Sequence, residues 1–489
     1  MTLLPPDLEI AYGIVNWTIR IGAIIVVPFK RRFTAAAWLL LLFFLPIPGL
    51  ILFLLIGQPR FPKGRVERFR DVVCPFYDRV GKKLESHSPP EPSPVADLAR
   101  RLGLFPAVGG NSIDLIGDYD GAIQRLIADV DAAKSHVFIL AYIFADDEVG
   151  RSVIDALGRA VKRGVDCRVL VDPVGSSHWI RGTERCLREA GVKYRAALPW
   201  HWLRRRTRRD MRNHRKLFVI DGRIGYSGSQ NIVCKDFRHG VVNRELVARC
   251  SGPIIAEMEA QFLGDWSLET GENPPRNGEV ADPRSRADGG DLLHHPRDDP
   301  PPRSGEDRAH LQLLPSGAEY PLAGFETLLV WQLHQARERA VIVTPYFIPD
   351  EDVLDAMRTT AARGVEVHLV LSKVVDQRVV NLAQRSYYDG LLSAGVRIHL
   401  FRDFLLHAKN VGIDGKLGIM GSSNVDLRSF QLNEEVSLLL LDDRSAGALA
   451  DVQSRYLQES DELHLEEWRK RGRPMMVLEN LARLISPLL

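Results

Sequence analysis

A chain of 489 residues, 45% hydrophobic and 26% charged, is too long for one ordinary domain and apolar enough to fill a large core. Its net charge of +2 gives no global argument for nucleic-acid binding. Five cysteines (Cys74, Cys167, Cys186, Cys234 and Cys250) fall at unrelated spacings without a CxxC, which excludes a disulfide framework and a zinc pattern.

The N-terminal part is a different material. IAYGIVNWTIRIGAIIVVPF (10–29) is apolar but carries Asn16 and Arg20. Arginine at mid-bilayer is costly, so this stretch reads as a weaker span or an interfacial helix. TAAAWLLLLFFLPIPGLILFLLIG (34–57) has no charge and is long enough to cross a bilayer, with Pro46 and Pro48-Gly49 predicting a kink or a re-entrant hairpin. The cluster Lys30-Arg31-Arg32 follows the first stretch and no small-residue cleavage site comes after it, which argues against a signal peptide. Residues 1–60 are therefore expected to anchor the chain in the cell (inner) membrane, as a multi-pass or hairpin segment. Residues 61–100 are expected to be a basic juxtamembrane connector. With both segments spanning, three basic residues in the short loop stand against five after the second segment (Arg60, Lys63, Arg65, Arg68 and Arg70), a balance that favours a cytoplasmic body.

Past residue 100 strand and helix alternate. HVFILAYIF (136–144) reads as a strand, EVGRSVIDALGRAVKRG (148–164) as a helix ending at glycine, and VDCRVLVD (165–172) as a strand. This β-α-β rhythm implies a parallel sheet with helices packed on it. AVIVTPYFIPDEDVLDAMRTTAARGVEVHLVLS (340–372) repeats the order, and REAGVKY (188–194) returns as LSAGVRI (392–398). Two diverged copies of one unit follow, predicted over 101–272 and 308–489. Between them, 273–307 is rich in Pro, Gly, Asp and Arg and reads as a flexible linker or insertion, its His294 and His295 as bystanders.

The repeat carries chemistry in NHRKLFVIDGRIGYSGSQN (213–231) and LHAKNVGIDGKLGIMGSSN (406–424). On a strand, residues two apart share a face, so His214 and Lys216 project together and Arg215 turns away. Asp221-Gly222 signals a hairpin turn that returns Ser229 and Asn231 to the level of the histidine. His407, Lys409, Asp414, Gly415, Ser422 and Asn424 repeat the pattern, each 193 positions on. Asn243-Arg244-Glu245 has its analogue in Asn433-Glu434-Glu435. One HxK on a strand is usually a polar edge; two copies with identical spacing are a site. An imidazole attacks phosphorus or delivers a proton near neutral pH, lysines and amides hold phosphate oxygens, and a carboxylate fixes the imidazole tautomer. Two histidines suit substitution at a phosphodiester with no metal and no cofactor. Asp221 and Asp414 are open to two readings, as turn residues or as those carboxylates.

HRKLFVID with GSQN and HAKNVGID with GSSN resemble the paired HxK(x)4D(x)6GSxN motifs of the phospholipase D superfamily. GQPR, AYIFADDEVG, LVDPVGS, TPYFIPDE and SSNVDLRSFQLNEE narrow the resemblance to the bacterial cardiolipin synthases, over nearly the whole chain except 273–307. The resemblance implies an α/β fold of two phospholipase D-like α/β/α domains packed as a pseudo-dimer behind an N-terminal membrane-anchoring helical segment. It implies ping-pong transfer of a phosphatidyl group between two phosphatidylglycerols, giving cardiolipin and glycerol. By analogy His214 attacks and His407 protonates the leaving glycerol. Lys216, Lys409, Asn231 and Asn424 would hold the phosphate with Ser229 and Ser422 supporting, and Arg212 and Arg215 would meet substrate. Glu245 and Glu435 are candidates for orienting the histidines, with Asp221 and Asp414, catalytic members of the motif, as competitors.

The expected partners are phosphatidylglycerol and cardiolipin in the membrane rather than nucleic acid, with homo-oligomerisation left open. RRRTRRDMRNHRK (204–216) would draw anionic headgroups, and the tryptophans of PWHWL (199–203) would suit the interface. A phospholipase D hydrolase, or a transferase with another donor or alcohol, shares the same intermediate. A membrane-tethered nuclease would need a stacking platform that the sequence does not offer. Intact His and Lys in both copies argue against a non-catalytic binding module.

Overall fold

The computed structural model describes residues 6–30, 35–57, 61–89, 91, 93–199, 211–275, 309–320 and 322–485. Arg204–Arg209, Trp200, Trp202 and the linker beyond residue 275 lie outside the described residues.

Beta-branched and leucine-rich runs, buried on both faces, form the first two strands of a parallel trio in each repeat. His136–Ala141, Asp166–Val171 and Lys193–Ala196 pair in parallel in the first; Arg339–Val343, Glu366–Ser372 and Arg397–Phe401 do so in the second. The helix after each first strand is capped alike. Asp147 accepts from the Gly150 amide at 2.9 Å ahead of Glu148–Lys162, and Asp350 from the Val353 amide at 3.1 Å ahead of Glu351–Ala362.

All of these strands belong to one 15-stranded sheet. The repeats meet where Val108–Ile116 lies antiparallel to Ala309–Ser316, with Val108 opposite Leu311 and Asn111 opposite Ala309. Outward from this junction the first repeat runs Val247–Ser251, Ile224–Gly228, Leu217–Ile220, then its parallel trio. The second runs Glu435–Leu440, Leu417–Gly421, Asn410–Ile413, then its own trio, with Ser460–Leu463 added at the edge. Counterpart strands thus sit at equal distances from the junction, and the two motif hairpins fall on either side of it.

The connector 61–100 differs from its expectation. Phe69, Val73, Phe76, Tyr77, Val80 and Leu84 are buried in the main core, against the almost fully buried helix Ile254–Thr270. Their spacing is helical, a pattern that the basic residues between them hide.

Of the N-terminal alternatives, the second stretch takes the hairpin, and the first, expected to be the weaker span, supplies the long helix. Pro6–Lys30 is one continuous helix of 25 residues, about 37 Å at 1.5 Å per residue, and is the one helix among the described residues long and apolar enough to span a bilayer. The more apolar stretch breaks at Leu45 into Ala35–Phe44 and Pro46–Ile56. Trp38 and Phe53 meet edge-to-face at 5.2 Å, so the two arms double back as a hairpin. Each arm reaches about half of a ~30 Å hydrocarbon core. Prolines at 46 and 48 remove two helical donors and set the break. Arg20, the residue that weakened the first stretch on paper, donates through Nε to Phe43 O at 3.0 Å, at the negative end of the first arm.

Candidate active site

Each motif hairpin closes on a turn with two consecutive left-handed residues. Asp221 and Gly222 have φ of 53° and 59°, Asp414 and Gly415 of 53° and 66°. Asp221 accepts from the amides of Lys134, Ser135 and His136 at 2.8, 2.6 and 3.0 Å; Asp414 accepts from Arg337, Glu338 and Arg339 at 2.9, 2.9 and 2.8 Å. These carboxylates pin the turn to the loop before the neighbouring strand. They sit seven residues along the chain from their histidines, on the order of 20 Å of extended strand. This corrects their assignment as catalytic groups and as competitors for orienting the imidazoles.

At the other end of the hairpin, Gly228 and Gly421 pass so close to the next strand that a Cβ would lie 2.4 Å from Leu246 O and 2.2 Å from Val436 O. That approach lets the Ser229 and Ser422 amides donate to those carbonyls at 3.0 Å. The serine hydroxyls are used up by protein. Ser422 Oγ donates to Glu435 at 2.5 Å and accepts from the Val436 amide at 3.0 Å; Ser229 Oγ donates to Leu246 O at 3.2 Å and accepts from its amide at 3.0 Å. Their expected contact with substrate is replaced by support of the glutamate segments.

Those segments cross between repeats. His214 N donates to Glu434 O and His407 N to Arg244 O, both at 2.8 Å. The residue after each acceptor then reaches the ring: Glu435 lies 3.0 Å from His214 Nδ1, and Glu245 lies 2.8 Å from His407 Nδ1. Each histidine is therefore oriented by the other repeat. With Nδ1–H donating to a carboxylate, Nε2 carries the lone pair and has no partner among the described residues.

Both rings line a single cavity of about 290 Å³, together with Arg212, Asn231, Asn424, Arg238, Tyr142 and Tyr346. Tyr142 packs edge-on to His214 at 4.6 Å and Tyr346 to His407 at 6.4 Å. Sequence reasoning quoted the two segments that hold these tyrosines without assigning the tyrosines a place. With the caps Asp147 and Asp350 aligned, Tyr142 matches Pro345 and Tyr346 matches Ile143, so the two tyrosines are not repeat equivalents and the repeat carries no signal for them. Lys216 and Lys409 donate to the carbonyls of their own histidines at 2.7 and 2.6 Å. Each keeps two further N–H groups without an acceptor among the described residues.

Arg215 turns away, as strand alternation requires. It bonds Asp265 at 2.6 Å, Glu434 at 3.4 Å and the carbonyls of Glu435 and Ser316, so it does not meet substrate as expected. It joins a buried network that sequence reasoning missed. Arg65 of the connector reaches Glu269, Glu319 and Glu434 at 2.6, 2.7 and 2.6 Å, and Glu434 also accepts from Asn213 at 2.8 Å. Burial works to raise Glu434, yet the Arg65 and Arg215 guanidiniums outweigh it and hold its carboxyl down to about 2. Arg212 lies on the cavity side, 3.3 Å from the buried Asp172.

Burial dominates the electrostatics. It pushes His214 down to about 4 and His407 to about 3, against the pull of Glu435 and Glu245, so both rings are neutral near pH 7. It lowers Lys216 to about 7 and Lys409 to about 8, against the same two glutamates.

Two imidazoles, one from each copy of an HxK hairpin, thus line one cavity with Arg212, Arg238 and Arg428. The family model described as cardiolipin synthase, PLD-like domain, matches residues 126–266 and 329–457. The chain belongs to the PLD-like cardiolipin synthase family. It is 33% identical to a cardiolipin synthase A of Serratia proteamaculans over 492 aligned positions, 97% of both chains. Against that of Wigglesworthia glossinidia brevipalpis it is 30% identical, over 99% of both. The crystal structure of a phosphatidylserine synthase from Haemophilus influenzae shares the fold, with a TM-score of 0.56 at 18% identity over 77% of this chain and 95% of that one. Within the cardiolipin synthase family, the crossed His–Glu pairs place both halves of the repeat in one site.

Proposed function

We propose that this chain makes cardiolipin by transferring a phosphatidyl group from one phosphatidylglycerol to another, through a phosphatidyl-histidine on His214. The observation that carries the reading is the pair of Nε2 atoms facing one cavity, each fixed by a glutamate from the opposite repeat. The near-full-length likeness to enzymes named cardiolipin synthase A supports the choice of lipid.

His214 Nε2 attacks phosphorus as the P–O bond to glycerol breaks, and His407 Nε2–H gives its proton to the departing oxygen. The negative phosphodiester, arriving between two neutral rings, favours protonation of the second one. The headgroup hydroxyl of a second phosphatidylglycerol then returns a proton to His407 and attacks phosphorus, and the P–N bond breaks. Lys216, Lys409, Asn231, Asn424 and Arg212 hold the non-bridging oxygens. His214 is assigned the nucleophile because its half of the site is the more firmly braced, by Arg65, Arg215 and Glu434.

Purified protein with phosphatidylglycerol vesicles should release glycerol in step with cardiolipin, followed by mass spectrometry. Phosphatidic acid as the product would make the enzyme a hydrolase. His214→Ala and His407→Ala should each abolish transfer. With a phosphatidyl p-nitrophenol donor, whose leaving group needs no proton, His407→Ala should still give a burst and His214→Ala none. The reverse pattern would exchange the two roles.

We infer that the body lies on the cytoplasmic side. With Pro6–Lys30 as the one span and 35–56 as a hairpin, Lys30-Arg31-Arg32 and the basic residues from Arg60 all fall on the body's side, whereas residues 1–9 carry none. A reporter active only outside the cytoplasm should work when fused at the N-terminus and fail at the C-terminus; the opposite result would invert the topology.

A further inference from the structure

The last described helix, Arg473–Ile485, is built inside out. The residues it buries are Glu479 and Ala482. Glu479 is matched there by Arg385 at 2.8 Å and Arg471 at 3.1 Å. At 3.6 residues per turn, the opposite face carries Val477, Leu481 and Leu484, which are 58%, 54% and 49% exposed. A helix on the surface of a soluble domain has the reverse polarity. The exposed charges of this helix are Arg473 and Arg483, one toward each end and both positive.

Its position ties the apolar face to the site. It packs along Arg378–Arg385, which begins at the rim of the cavity. Gln377 and Val380 line the cavity there, and Val375 and Val379 are exposed beside them. A second copy is a poor occupant for this face. A two-fold antiparallel helix pair would bring two copies of Arg473 and Arg483 to one contact, with no exposed carboxylate on the helix to meet them, since its one acidic residue, Glu479, is buried. Anionic phosphates above an acyl layer match both the arginines and the apolar face.

We propose that Arg473–Ile485 is an interfacial membrane helix that lies in the headgroup–acyl boundary of an anionic bilayer and seats the cavity mouth on the leaflet. The membrane contact stands on the helix itself; its service to substrate entry rests on the lipid-transfer reading above.

The test uses the full chain in liposomes containing phosphatidylglycerol. An environment-sensitive fluorophore is placed on Val477→Cys or Leu484→Cys, with Glu351→Cys as the exposed control and the unsubstituted chain as labelling background. Expected is blue-shifted emission, quenched several-fold more than the control by lipids brominated on their acyl chains. Control-like emission would overturn the proposal, as would a disulfide joining two copies of the unlabelled Val477→Cys variant on an unquenched face. A Val477→Asp/Leu481→Asp/Leu484→Asp variant with an unchanged melting temperature should lose the quenching of a label at residue 475. It should also raise KM for lipid several-fold in mixed micelles while kcat stays constant. An unchanged KM would remove the role in entry. Quenching in a protein that forms no cardiolipin would leave the helix proposal intact and sink the proposed function instead.

Discussion

Around His214 the chain writes His-Arg-Lys and, on the facing segment, Asn-Glu-Glu; around His407 it writes His-Ala-Lys and, facing it, Asn-Arg-Glu. The shared letters do the same things on both sides. Each glutamate fixes a ring, each lysine donates to the carbonyl of its own histidine, and each asparagine of the facing segment donates to the glutamate at 3.2 Å. The letters that differ divide the halves. Arg215 and Glu434 lock the first strand into a buried ion network with Arg65, whereas their counterparts Ala408 and Arg244 make no such pair, Arg244 resting over the Phe404 ring. Symmetric residues carry chemistry common to both histidines, and asymmetric ones separate a braced ring from a less braced one.

The comparison breaks most sharply at the glutamates. Glu435→Gln and Glu245→Gln should each lower kcat by about 10³–10⁴-fold, the scale seen when a tautomer-fixing carboxylate is lost. Because of the crossing, Glu435→Gln should block the p-nitrophenol burst and Glu245→Gln should spare it. If both behave alike, the halves do not divide the labour. Arg65→Gln comes next. It takes the guanidinium from Glu269 and Glu319 in the core and leaves Glu434 with Arg215 and Asn213, at a cost of about 3–5 kcal/mol. A lower melting temperature, with the burst slowed by about 10–100-fold and breakdown of the phosphatidyl-enzyme little changed, is expected; equal slowing of both steps would show that the bracing serves the whole site.

The lysines sharpen the part the halves share. Their folded values near 7 and 8 lie below the ordinary 10.5, so their charge is present at low pH and lost as pH rises through those values. Inorganic tungstate, measured by calorimetry, should therefore bind about tenfold more weakly per unit once one charged lysine is required above pH 8. A flat profile from pH 7 to 9 would take the lysines out of anion binding. Smallest in effect on activity are Asp221→Asn and Asp414→Asn. Each should lose about 1–3 kcal/mol of stability, read from urea melts, with kcat unchanged. A large loss of kcat in a folded variant would restore these residues to the site.

The hairpins, their turns and the face shared by His214 and Lys216 were legible because strand periodicity and Asp-Gly chemistry are local. The outward turn of Arg215 was legible for the same reason, although its place in the basic run 204–216 beside the motif pulled it toward substrate. The crossing of Glu245 and Glu435 was not, since it depends on how two repeats meet at Val108–Ile116 and Ala309–Ser316, which no local pattern encodes. Arg65 looked like one basic residue among several near a membrane. Only tertiary packing supplies the three glutamates that take it inside. The break at Pro46 was legible from the prolines; that the first stretch is the long helix was not, because Arg20 finds its acceptor, Phe43 O, only once the hairpin has folded beside it.

The crossed pairs also bear on how the enzyme is made. A chain emerging from the ribosome offers its anchor and His214 long before residue 435 exists. Until then the first imidazole has no carboxylate to set its tautomer, and the glutamate at 245 has no ring to hold. A truncated or half-translated product, even one already in the bilayer, thus carries an imidazole whose tautomer is unset, and the order of synthesis alone withholds the complete site until residue 435 is made.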